Sequence, residues 1–248
     1  MNRMFSNFNH NFGWMYRYPA VLGLQLYLKI KNKGMNDDDK YVLYQREFFR
    51  HHVLRDGSDK FYSEREKLAK YAFETGGIRA LDVGTGHGFQ AVALKKVGFK
   101  EVVGIDLVSE RIEYCKKIHK NSGVRFKTMD AANLNFPDKH FDSTAVSAVL
   151  HDIPLKTRVK AISEIVRVTK NTVVIFEPKT FRNLMMKYIY GYLGEFFDES
   201  VNFHEYVGQD LDQILNSYGV KVIRKESAWH GVLTITVGKI LNHVNMAA

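Results

Sequence analysis

The sequence predicts an α/β protein built on a doubly wound, mostly parallel sheet of seven strands, with helical additions before it. Two observations carry this. Beyond residue 77, short apolar runs alternate with amphipathic stretches of helical period, the pattern of a parallel sheet buried on both faces. A glycine-rich turn then joins the first such run to the first such helix, as in sheets that bind nucleosides at their carboxyl edge.

The elements follow in order. Residues 1–34 are aromatic and basic, and 31–40 read as a polar linker or exposed turn. Within this zone Leu22, Leu24, Leu26, Leu28 and Ile30 alternate as in a strand, yet a helix buried on several sides fits equally. Residues 38–74 read as two helices. Tyr41, Tyr44 and Phe48 share a face of the first, and Leu68, Ala69, Ala72 and Phe73 share one on the second. Strands are expected at 78–83, 101–106, 124–129, 143–148 and 172–176, with helices at 89–97, 109–120 and 155–169. A last pair at 220–224 and 232–237 flanks Trp229-His-Gly231 and is suited to close the sheet as a hairpin with an antiparallel last strand. The resulting division is an N-terminal extension over 1–60, suited to a lid or oligomer contact, and a main domain over 61–240. An insertion at 180–208 lies within that domain.

At 248 residues and 45% hydrophobic, the chain has enough material for one sizeable core. Its 36 Lys and Arg against 27 Asp and Glu give a net charge of +9. That excess suits an anionic partner such as nucleic acid or an acidic lipid surface, and equally a basic, solvated exterior. The single Cys115 excludes an internal disulfide and a cysteine-cluster metal site; no metal is expected. Residues 1–18 lack the apolar stretch of a signal peptide, and the greasy run at 20–28 is about half the roughly twenty residues of a membrane span. A cytoplasmic protein is the expectation.

The chemistry concentrates in Ala80-Leu-Asp-Val-Gly84-Thr-Gly86-His-Gly88-Phe89. Glycines there let the backbone turn tightly and approach a ligand that a Cβ would exclude. Asp106 closes the next apolar run, where a carboxylate can accept from both ribose hydroxyls of a nucleoside. Asp82, just before the first glycine, suits a cationic group better than a pyrophosphate, and no Gly-Lys-Ser/Thr of a P-loop follows. His87 reads as an exposed turn residue, and Asp142 as a structural turn carboxylate.

These blocks, joined by Asp130-Ala131, Leu134-Asn-Phe-Pro-Asp-Lys-His-Phe-Asp142 and Ser147-Ala-Val-Leu-His-Asp-Ile-Pro154, resemble the class I S-adenosylmethionine-dependent methyltransferases. The likeness is nearest to the small-molecule group of the ubiquinone and menaquinone biosynthesis enzymes, whose Rossmann-like sheet matches the pattern above. It implies S-adenosylmethionine as cofactor. Asp82, Gly84, Thr85, Gly86 and Gly88 would cradle its methionine and ribose portions. Asp106 would hold the ribose, Leu107 would pack on adenine, and Asp130 and Ala131 would meet the adenine edge. Ser147 and Ala148 would lie near the methyl, with Tyr62 as a lid contact.

An activated methyl needs chiefly an aligned acceptor and exclusion of water; a base helps only where the acceptor loses a proton. Candidate bases are His151, Glu177, His204, Glu205 and Tyr206. The stretch 180–208, rich in Met and aromatics, suits an apolar or lipid-like small-molecule acceptor, and equally a helix packed on the core or on a second subunit. Peripheral membrane contact is compatible with this, as is a monomer or homodimer. RNA methylation and cofactor binding without turnover stand as alternatives. The chain has no Asn/Asp-Pro-Pro-Tyr motif for exocyclic amines, and Cys115 sits mid-helix, unsuited to a nucleophile.

Overall fold

A computed structural model describes residues 34–52, 59, 61–181, 183, 185, 186, 188, 189 and 202–241. The expectations for residues 1–33, and for most of 180–208, lie outside the described residues. The order is α1 (Asp37–His52), α2 (Tyr62–Phe73), β1 (Arg79–Val83), α3 (Phe89–Val97), β2 (Glu101–Asp106), α4 (Ser109–Ile118) and β3 (Val124–Thr128). It continues with β4 (Phe141–Ser147), α5 (Leu155–Val168), β5 (Thr169–Pro178), α6 (Phe203–Val207), α7 (Leu211–Ser217), β6 (Val220–Ala228) and β7 (Leu233–Ile240).

The seven strands form one sheet in the order β3-β2-β1-β4-β5-β7-β6. β1 to β5 are parallel, and β7 runs antiparallel to both β5 and β6. Alternate residues of each strand enter opposite cores. Leu81, Val83, Val146 and Ile175 pack with α5, α6 and α7, whereas Ala80, Val102, Ala145 and Val174 pack with α2, α3 and α4. The central strand β4 is therefore buried almost throughout, its Ser and Thr included, while the edge strand β6 alternates half-buried and exposed positions after the buried Val220.

Differences from the expected boundaries have local causes. β5 begins at Thr169 with no intervening loop, because that residue is already extended (φ −97°, ψ 133°) and its hydroxyl donates back to the Ile165 carbonyl. β6 and β7 run longer than their apolar cores because pairing continues through polar residues as far as Ala228 opposite Leu233. Between them, Trp229-His-Gly231 forms a 3₁₀ turn with left-handed backbone at Trp229 (φ 43°) and His230 (φ 58°).

The order reverses at β1, with β2 on one side and β4 on the other, so the loops leaving β1 and β4 diverge above the carboxyl edge. The resulting crevice holds the site.

Candidate functional site

Two strand exits shape the crevice floor. After β1 the chain turns through Gly84–Gly88, where the Thr85 N–H donates to the Ile105 carbonyl at 2.7 Å and the Gly88 N–H to the Thr85 carbonyl at 2.8 Å. Asp106, at the tip of β2, accepts the Gly86 N–H at 3.0 Å and the Val108 N–H at 2.9 Å. One carboxylate thus pins both loops. The three glycines differ in role. A Cβ on Gly84 would overlap the Val149 side chain, and one on Gly88 would meet His119 at 2.7 Å and Phe126 at 2.9 Å, so both are packing positions. A Cβ on Gly86 would find only the Gly84 carbonyl, 3.9 Å away. The cradle opens at Gly86.

Above it lies a cavity of about 670 Å³, within the range of small-molecule sites. Asp82, Gly84, Thr85 and Gly86 line it from β1, Asp106 and Leu107 from β2, Asp130 and Ala131 from the β3 exit, and Ser147 and Ala148 from β4. Two expected contacts lie elsewhere. Tyr62 is 54% exposed with its hydroxyl donated to Glu66, outside the cavity lining. Gly88 is turned into the packing beneath the loop.

Asp82 is almost wholly buried. One oxygen accepts the Thr85 hydroxyl at 2.6 Å; the other has no hydrogen-bond partner among the described residues. Burial pushes its carboxyl up to about 7, against the opposing pull of Thr85 and the Arg65 charge. An unpaired carboxylate oxygen in a desolvated wall is a socket for a cation or a hydrogen-bond donor. His87 is not the exposed turn residue its position suggested. It lines the cavity, stacks on Phe89 at 5.9 Å, and burial together with Arg111 and Arg65 pushes its imidazole down to about 4, so it is neutral at pH 7.

The candidate bases are disposed differently from the cofactor residues. Glu177, at the end of β5, is buried and accepts the N–H groups of Val149 and Leu150 at 2.7 and 2.8 Å. His151 is also buried, its Nδ1 2.6 Å from Glu177 Oε2 and its ring edge-on to Phe203 and Tyr206. Neither lines the main cavity; Glu177 and Tyr206 border a separate hollow of about 230 Å³. Burial raises the Tyr206 phenol far above its ordinary range, and its hydroxyl lacks a hydrogen-bond partner among the described residues. His204 is exposed beside Tyr188, and Glu205 lies 3.7 Å from Arg158.

Several lining groups escaped the sequence reading. Arg65 of α2 donates to the Ser147 hydroxyl at 3.0 Å and to Asp59 at 3.0 Å. Arg111 of α4 lies 3.5 Å from Asp106 and donates to Gln45 of α1 at 2.7 Å. Tyr41, Tyr44 and Gln45 bring α1 over the cavity, and Asp152 joins from the loop after β4. The helical face of Tyr41 and Tyr44 was visible in the sequence; what it faced was not.

The sheet order and the crevice at its carboxyl edge are those of the Rossmann-like methyltransferase fold. Residues 81–176 match the family model described as a methyltransferase domain. It is 36% identical over 93 residues to a fatty-acid O-methyltransferase of Mycolicibacterium smegmatis, covering 33% of this chain and 34% of that one. To the ubiquinone/menaquinone biosynthesis C-methyltransferase UbiE of Bdellovibrio bacteriovorus it is 33% identical over 109 residues, covering 43% and 46%. The matched part thus spans between a third and a half of these relatives. Among solved structures, magnesium protoporphyrin IX methyltransferase from Synechocystis PCC 6803 with bound SAM superposes with a TM-score of 0.61 at 15% identity. That match covers 85% of this chain and 100% of the other. Such a likeness speaks for the fold.

Proposed function

We propose that this chain is an S-adenosylmethionine-dependent methyltransferase acting on a small, apolar or lipid-like acceptor. The observation that carries it is the cavity over Gly86, where one open glycine, the half-unpaired Asp82 and Asp106 at the tip of β2 converge. Asp106 would hold the ribose hydroxyls, Leu107 and Ala131 would flank adenine, and Asp130 would take its amino group. Asp82 would meet the ammonium and Arg65 the carboxylate of the methionine end. When bound, the cofactor supplies an electrophilic methyl on a sulfonium. The protein's part is to align the acceptor and keep water out, with Tyr41, Tyr44 and Gln45 of α1 as the cover.

The matches to a fatty-acid and a quinone-pathway methyltransferase support an apolar acceptor. No helix among the described residues is long and apolar enough to cross a membrane. The test is calorimetry with S-adenosylhomocysteine and with NAD, followed by labelled-methyl transfer into separated lipid, metabolite, protein and RNA fractions. Binding of S-adenosylhomocysteine alone, with label in the lipid or metabolite fraction, is expected. Tight binding of NAD, or label confined to RNA, would overturn the proposal.

A further inference from the structure

The loop joining β4 to α5 forms one wall of the cavity through Ala148, Val149, Asp152 and Ile153. Two buried charges hold it from behind. Glu177 receives the Val149 and Leu150 N–H groups, and Arg158, fully buried, donates to the carbonyls of Leu150 at 2.7 Å and Ile153 at 2.7 Å. The His151 ring turns away from the cavity onto Glu177. Asp152 is placed otherwise. Its side chain lines the cavity at 20% exposure, with Oδ1 3.6 Å from His151 Nε2, and its carbonyl accepts the Asn202 amide at 2.6 Å. Tyr41 of α1 lines the same cavity, and among the charges that raise its phenol, after burial itself, Asp152 comes first.

Resting on the methyl-transfer reading above, we propose that Asp152 is the catalytic residue on the acceptor side, taking a proton from an acceptor O–H or N–H. His151 and Glu177 are positioning residues behind it. As the acceptor heteroatom bonds to the methyl carbon and the carbon–sulfur electron pair returns to sulfur, the heteroatom's proton passes to the Asp152 carboxylate and then to solvent. The acceptor class follows. An ionised carboxylate, such as a fatty acid presents, needs no base and would be repelled by Asp152, so the likeness to the fatty-acid enzyme extends to the apolar body of the acceptor and not to its reacting group, which on this proposal is a hydroxyl or amine. The charged and titratable groups facing Asp152 are Tyr41 from α1, His151 beside it, Arg158 from α5 and, through His151, Glu177 from β5.

The experiment compares wild type with Asp152→Asn, Asp152→Glu and Glu177→Gln. S-adenosylhomocysteine affinity is measured by calorimetry. Transfer of labelled methyl into lipid and metabolite extracts is followed across pH, and the product is tested for stability to alkali and to hydriodic acid. Asp152→Asn should keep its affinity within about twofold and lose about 10²-fold or more in rate; Asp152→Glu should restore part of the rate. Glu177→Gln should lower thermal stability and raise KM by loosening the wall, while leaving the shape of the pH profile. The label should survive alkali and be released by hydriodic acid, at reflux for a methyl on oxygen and on strong heating of the hydriodide salt for a methyl on nitrogen. A wild-type rate in Asp152→Asn, an alkali-labile methyl ester, or a label resistant to both reagents would overturn the inference alone. A wild-type chain that methylates neither extract would instead overturn the functional reading beneath it.

Discussion

Gly86 and Gly88 sit two residues apart in one loop, both with positive φ, and alanine at each should have opposite consequences. At either position the left-handed backbone (φ 54° and 80°) costs an L-residue about 1–2 kcal/mol. For Gly88 the new Cβ would also press on His119 at 2.7 Å and Phe126 at 2.9 Å, a ring already packed in the core. Overpacking of that kind adds about 1–3 kcal/mol, for a total of about 2–5 kcal/mol. For Gly86 the Cβ meets only a carbonyl 3.9 Å away, so stability should fall by the backbone cost alone. That same Cβ stands in the cavity, where the cofactor must approach the chain. Urea denaturation reads the first quantity, and calorimetric titration with S-adenosylhomocysteine the second. Gly86→Ala should be the more stable variant and the weaker binder. The reasoning fails if the two variants are equally destabilised, or if Gly86→Ala binds like wild type.

Other expectations can be measured alongside. Asp106→Ala should weaken S-adenosylhomocysteine binding by about 1–3 kcal/mol, through loss of charge-assisted hydrogen bonds and of the anchor for the Gly86 N–H; unchanged affinity by calorimetry would remove it from the ribose site. Asp82 carries a pH signature. Its folded value, about 7 against an ordinary 3.8, means that the ligand-free fold loses stability as pH rises from about 4 through about 7. A bound ammonium favours the ionised form, so affinity should climb with pH over the same window, with proton release, and level off above it. Asp82→Asn should flatten that slope in calorimetry across buffers. Arg158→Met should cost about 3–5 kcal/mol, because the Leu150 and Ile153 carbonyls lose a buried charged donor; a loss below 1 kcal/mol in urea denaturation would mean the loop is held by packing alone.

The elements legible in the sequence were those whose signal is local. β2 and α3 fall on their expected residues because an uninterrupted apolar run and a glycine-opened helix are determined by neighbours in the chain. Asp142 is the structural carboxylate its place suggested, accepting the N–H groups of Ile78 and Arg79 at the start of β1. His87, Glu177 and Tyr62 were harder, since exposure depends on which elements close over a residue. A glutamate at a strand's carboxyl end looks the same whether it faces a ligand or gathers the backbone of the next loop. Here it gathers backbone.

From its residues alone, the chain determined a mostly parallel sheet, the glycine turn, and the acids at or just beyond the ends of its first three strands. Each rests on contacts between residues close in sequence or on a repeat of fixed period. Tertiary structure alone decided which of three glycines opens to the cavity, that Arg65 reaches Ser147 and Arg111 reaches Gln45, and that Asp152 rather than His151 looks inward. Those facts depend on helices from distant parts of the chain meeting over one edge of the sheet, and no short stretch of sequence records where such surfaces come together.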